Sequence, residues 1–186
     1  MTVHYFTAST LDGFLATHDD SLDWLLSRNV DADGPHGYNA FLAGMGALVM
    51  GGVTYRWVVE HEQGRWPYAQ PTWLFSRSTT ELLPGADLHQ VAGDPTTHID
   101  AIRASAGGRD VWLVGGGDLA AQFARAGLID EVWIQFAPVI LGSGKPFMPA
   151  PLDLTLLEVV RNGDFACTHY AVTPSPSDGF GSRQRA

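Results

Sequence analysis

Apolar residues fall along this chain in short, separated blocks. In one of them, Val111-Trp112-Leu113-Val114, two of four apolar residues are β-branched, which predicts a short buried strand. Gly115-Gly116-Gly117 follows, and then Leu119 and Phe123 at a spacing that puts them on one helical face. Gly127 is placed to end that helix in the left-handed conformation, and residues 131–137 return as a second strand. Strand, glycine turn, helix and strand together predict a parallel crossover unit.

The same alternation predicts the rest of the chain. Residues 3–8 read as a first strand, apolar enough for a central position, with a turn at 9–13 and a brief strand at Phe14-Leu15-Ala16. Residues 17–37 are polar, broken only by an apolar piece at 22–26, and a loop of that length is either functional or mobile. A short helix is predicted over 38–44 and a strand over 47–50. Gly51-Gly52-Val53-Thr54 then makes a second strand-to-helix transition, with the Thr54 hydroxyl near the helix start. Strands are predicted at 71–75, ending in Ser76-Arg77, and at 87–91. Asp94-Pro95 supplies an N-cap and a first-position proline for a helix that carries Ile99 and Ile102 and stops at Gly107-Gly108. An extended segment, 137–147, leads into a glycine loop. Strands at 154–161 and 165–173 flank Asn162-Gly163, a two-residue hairpin signal. The predicted class is α/β, with a mixed sheet and a closing antiparallel hairpin. A single domain covers 1–173, and 174–186 reads as a disordered tail.

With 186 residues, 45% of them apolar, one globular domain has a sizeable core. A net charge of −9 with no basic cluster argues against a nucleic-acid partner, although one local pocket for an anionic small molecule remains open. Cys167 is the only cysteine, which excludes intrachain disulfides and cysteine-rich zinc sites; no metal is expected. No apolar run reaches membrane-spanning length and no leader pattern opens the chain, so a cytoplasmic protein without a membrane partner is expected.

Three strand ends carry candidate chemistry: Gly51 to Thr54, Ser76-Arg77, and Gly115 to Asp118. Glycines there let backbone N–H groups approach a ligand, and a helix start behind them favours an anion; the alternative is a tight turn that needs positive φ. Ligands of open α/β sheets sit at the carboxyl ends of strands, so three such ends on one edge would hold a dinucleotide, with Arg77 a candidate for a 2′-phosphate. Gly115 to Ala120 fits G-x-G-x-x-A, but one crossover and a hairpin follow rather than a doubly wound domain, so the Rossmann reading is rejected. There is no H-E-x-x-H or G-x-S-x-G, and His169 reads as a structural histidine. Gly142-Ser143-Gly144-Lys145 lacks the Walker spacing; its lysine, the only one in the chain, is either part of a turn or an anion contact.

Taken in order, several motifs resemble the dihydrofolate reductase-like family. They look closest to the branch holding the C-terminal reductase domain of bacterial riboflavin-biosynthesis enzymes and its stand-alone relatives. The motifs are Ala8-Ser9-Thr10-Leu11-Asp12-Gly13, Val49-Met50-Gly51-Gly52-Val53-Thr54-Tyr55, Leu74-Phe75-Ser76-Arg77 and Val114-Gly115-Gly116-Gly117-Asp118-Leu119. The most specific are Gly127-Leu128-Ile129-Asp130-Glu131-Val132 and Pro138-Val139-Ile140-Leu141-Gly142-Ser143-Gly144. The resemblance implies a three-layer fold with NADPH lying across the strand ends. Gly51, Gly52 and Thr54 would hold the diphosphate from one side and Gly115, Gly116, Gly117, Asp118 and Leu119 from the other. Ser76 and Arg77 would hold the adenosine phosphate, and Ala8 would lie near the nicotinamide, with Asp12-Gly13 bordering the catalytic pocket. A homodimer is implied as well.

Two departures stand out. The M-G-R-x-T motif of dihydrofolate reductases has arginine where this chain has Gly52, and the acid on their preceding helix has no counterpart in Tyr38-Asn39-Ala40-Phe41-Leu42-Ala43. Asp12 and Asp33 are possible substitutes for that acid. The expected activity is NADPH-dependent hydride transfer to a pterin-like, pyrimidine-like, carbonyl or imine substrate, with bound water or Asp12 as proton donor. The alternative is a non-catalytic NADP(H)-binding protein that kept the pocket.

Overall fold

The computed structural model describes residues 1–173; the expected tail at 174–186 lies outside them. In chain order the first half holds β1 (Val3–Thr10), β2 (Phe14–Ala16), α1 (Asp23–Leu26), α2 (Tyr38–Gly44), β3 (Met45–Gly51), α3 (Gly52–His61), β4 (Thr72–Phe75) and β5 (Leu88–Val91). The second half holds a 3-10 turn at Pro95–Thr97, α4 (Ile99–Ser105), β6 (Asp110–Gly115), α5 (Gly117–Arg125), β7 (Glu131–Ala137), β8 (Lys145–Pro146), β9 (Leu154–Asn162) and β10 (Phe165–Val172).

Eight strands form one sheet in the order β5-β4-β3-β6-β1-β7-β10-β9, and β2 pairs with β8 beside it. All neighbours from β5 to β7 are parallel. β10 is antiparallel to β7 and to β9. This is the mixed, mostly parallel sheet with a terminal hairpin that the hydrophobic pattern predicts. Strands in such a sheet are buried on both faces. Tyr5, Val49 and Leu113 face α4 and α5 and pack with Ile102, Leu119 and Phe123. Phe6, Leu48 and Trp112 face the other way, against Tyr38 and Phe41 of α2. Met50 and Leu74 meet Tyr55 of α3. Helices thus cover both faces.

Two local expectations are corrected. Phe165 pairs with Asn162, so the two turn residues are Gly163 and Asp164, one step later than the Asn-Gly signal. Asn162 is instead buried: its Nδ2 donates to the carbonyls of Asp31 (2.8 Å) and Pro35 (3.0 Å), and its Oδ1 accepts from the Asp31 N–H (2.9 Å). Through those bonds the polar loop is fastened to the hairpin, and Trp24 of α1 is buried beside Phe165 and Cys167. The Asp94 carboxylate does cap the Thr96 N–H at 2.8 Å, but what it caps is the 3-10 turn, and α4 begins only at Ile99.

Candidate functional site

Parallel strands end on the same side of a sheet, so β4, β3, β6, β1 and β7 bring their carboxyl ends to one edge. Gly51 pairs with Phe75 and Met50 pairs with Gly115, which sets the three glycine- and hydroxyl-bearing ends side by side. A Cβ built on Gly52 would lie 3.4 Å from the Ser76 Oγ, and one on Gly116 would lie 3.9 Å from the Thr54 Oγ1. Ala8 and Thr10, near the end of β1, pair with Gln135 and Ala137 of β7 on the other side of β6.

The glycines at this edge have different physical reasons. Gly115 has φ of +113°, a conformation that side chains rarely adopt. Gly117 has no room, because a Cβ there would run into the Pro146 carbonyl oxygen. Gly51 and Gly116 have ordinary φ values of −84° and −65° and would place a Cβ no closer than 3.8 Å to any atom. Neither φ nor the surrounding space requires a missing side chain at these two. Both are N-caps, of α3 and α5, and neither helix start carries a side-chain cap. First-turn N–H groups of two helices are therefore left for another partner, at the ends where the helix dipole favours negative charge.

Not every expected contact residue faces the space. Leu119 is 5% exposed and packs its side chain into the core, so only its backbone belongs to the helix start. Asp118 is exposed. Ser76 Oγ donates to the Ser78 carbonyl at 2.9 Å and accepts from the Thr80 hydroxyl at 3.3 Å. Arg77 is exposed and has no hydrogen-bond or ion-pair partner among the described residues. A second such arginine escaped the sequence reading. Arg56 reaches back along α3, with Nη1 3.6 Å from the Gly52 Cβ position. The signal was its four-residue spacing from Gly52, which puts both on one helical face.

Asp12 is committed to backbone and hydroxyl donors. Its Oδ1 accepts from the Thr10 hydroxyl (2.6 Å) and the Leu141 N–H (3.2 Å), and its Oδ2 accepts from the Gly142 N–H (2.6 Å). The Thr10 hydroxyl first, then the two amides, hold its carboxyl below the usual range. It clamps the β1–β2 turn to the glycine loop at 138–144. Lys145 is paired with Asp20, which ties that loop to the polar segment. On α2, burial pushes the Tyr38 phenol up, as it does that of Tyr68. Asn39 Nδ2 donates to Asp33 Oδ1 at 2.8 Å, so Asp33 is the carboxylate nearest that helix in bonding terms.

Comparison with known proteins agrees with this architecture. The chain is 30% identical over 175 residues to the uncharacterized protein YwjB of Bacillus subtilis, covering 88% of this chain and 91% of that protein. It is 30% identical over 159 residues to the riboflavin biosynthesis protein RibD of Corynebacterium ammoniagenes, covering 80% of this chain but 46% of that longer protein. A crystal structure from Shewanella sp. PV-4, described as a riboflavin biosynthesis protein on assignment alone, superposes with a TM-score of 0.80 at 28% identity, over 93% of this chain and 99% of that one. Dihydrofolate reductase from Enterococcus faecalis, solved with NADP(H), shares the fold at a TM-score of 0.55 and 14% identity, over 92% of this chain and 96% of that one. The model of the RibD C-terminal domain family matches residues 68–167, from the loop before β4 through the glycine turn to β10. With its fold dihydrofolate reductase-like and that match spanning more than half its length, the chain belongs to the RibD C-terminal domain family.

Proposed function

We propose that this protein is an NADPH-dependent reductase acting on a small pyrimidine-like ring, with pterin-like, carbonyl and imine compounds as the wider substrate class. The observation that carries the reading is the pair of uncapped helix starts at Gly52 and Gly117, each preceded by a glycine with ordinary φ and open space at its Cβ position. A diphosphate suits that place by charge and by hydrogen bonding. Backbone N–H groups at Gly51, Gly52, Gly115, Gly116, Gly117, Asp118 and Leu119, with the Thr54 hydroxyl, would hold it, while Ser76 and Arg77 would take the adenosine phosphate. Ala8 would lie beside the nicotinamide ring, and when bound the reduced nicotinamide supplies the hydride.

The chain's own part is to orient the two reactants and keep water from the transfer. Asp12 holds the neighbouring loop through its ionised carboxylate, which leaves bound water as the better proton donor. The substrate class is supported by membership of a family whose relatives include RibD of C. ammoniagenes. A cytoplasmic homodimer completes the reading. Edge strand β9 exposes Leu154, Leu156, Leu157 and Val159, the last at 55%, which favours a second copy there. The net charge of −9 disfavours nucleic acid and anionic membranes.

A specific observation favours the second reading, a non-catalytic NADP(H)-binding protein: α2 bears no carboxylate. Single-turnover oxidation of bound NADPH, with pyrimidine-type ring substrates added, tests the choice. Oxidation dependent on such a substrate supports the reductase. Tight NADPH binding with no oxidation supports the alternative, and failure to bind either nicotinamide cofactor overturns both.

A further inference from the structure

We propose, on the reading that an NADP(H)-type dinucleotide lies across this edge, that Arg56 is a second residue, beside Arg77, that selects a phosphorylated adenosine, its guanidinium reaching the space that a side chain at Gly52 would enter. α3 sets Arg56 one turn beyond Gly52 on the same face. Its Nη1 lies 3.6 Å from the Gly52 Cβ position, and the Ser76 Oγ lies 3.4 Å from the same point. A guanidinium and a hydroxyl therefore converge on the space that a residue-52 side chain would enter. Arg56 is exposed and has no hydrogen-bond or ion-pair partner among the described residues, so its donor fork is free.

The surroundings fit a phosphomonoester. Arg56 borders an open cleft of about 350 Å³ whose wall includes Glu60, Ser78, Thr79, Thr80 and Glu81. The hydroxyl-bearing wall is fixed by the protein. The Tyr55 hydroxyl donates to the Glu81 carbonyl (3.1 Å) and accepts from the Leu83 N–H (2.9 Å). Gln90 donates to the Ser78 carbonyl (2.7 Å) and accepts from the Thr80 N–H (3.2 Å). Hydroxyls carried on a backbone that these bonds hold, beside an arginine fork, match the oxygens of a phosphate. Glu60 and Glu81 put negative charge on the same cleft, and Arg56 is the cation in its wall that offsets part of it. Arg77, also free, follows Ser76 on the same connection and adds charge without lining the cleft.

Calorimetric titration of the full chain with 2′,5′-ADP and with 5′-ADP, for the wild type and for Arg56→Gln, tests the assignment. The wild type is expected to prefer 2′,5′-ADP, and Arg56→Gln to lower affinity for it by about tenfold or more while changing that for 5′-ADP far less. A preference that persists unchanged in Arg56→Gln overturns the role of Arg56 and leaves the NADP(H) reading standing. An equal loss for both ligands overturns selection as its role. A wild type without any preference overturns the assignment together with the NADP(H) reading.

Discussion

Gly117 lies directly against the carbonyl of Pro146, with no room for a Cβ, whereas its neighbour Gly116 meets nothing closer than the Thr54 hydroxyl at 3.9 Å. Of these adjacent glycines, one is required by packing and the other borders open space. Gly117→Ala should destabilise the protein by about 1–3 kcal/mol, the usual range for overpacking. Gly116→Val should melt near the wild-type temperature and lose NADPH binding, read by tryptophan fluorescence. Normal binding in Gly116→Val would reduce the glycines to a turn.

Arg77→Ala should reduce affinity for NADPH by about tenfold while leaving that for NADH nearly unchanged, because a charge-assisted phosphate contact is worth about 1.5–3 kcal/mol. Parallel titrations of the two cofactors measure it. Identical behaviour of wild type and variant would remove Arg77 from the site.

Dihydrofolate should be a poor substrate. Reduction of a pterin needs a proton at the ring, and α2 offers Tyr38, its phenol pushed up by burial, and Asn39, bonded to Asp33. General acid–base assistance is worth roughly 10²–10⁴ in rate. A steady-state assay of NADPH consumption with dihydrofolate checks this. Turnover near about 10 s⁻¹, an ordinary enzymatic rate, would mean that an acid reaches the ring, and Asp33→Asn against Asp12→Asn would identify it.

Asp12→Asn should loosen the loop at 138–144, seen as faster amide exchange at Leu141 and Gly142. Folding lowers the Asp12 pKa, chiefly through the Thr10 hydroxyl. Its bonds therefore stabilise the fold fully above the unfolded carboxylate value of about 3.9 and fade as pH falls through the lower folded value. Wild type and Asp12→Asn should differ in melting temperature at about pH 6 and converge at about pH 2. A difference that persists at low pH would assign the effect to something other than the charge.

Local sequence determined the elements themselves. Block-wise apolar density located β1, β3, β6 and β7, and the glycine-then-helix transitions at Gly51 and Gly115 marked where α3 and α5 begin, because chain conformation at those points depends on near neighbours. The motif series also carried the family. Tertiary structure decided what the glycines and charges do. Gly117 needs its missing side chain only because β8 passes over it, and Gly116 only becomes suspect once the space above it is seen to be open. Asp12 and Asn162 read as turn residues in one dimension. Their partners, Gly142 and Asp31, lie more than a hundred residues away, and no local pattern encodes a hydrogen bond made across that separation. Arg56 was hidden for a related reason. A side chain's reach back along its helix toward a neighbouring glycine is set by which face α3 turns to β4, and the packing of Tyr55 against Met50 and Leu74 fixes that face.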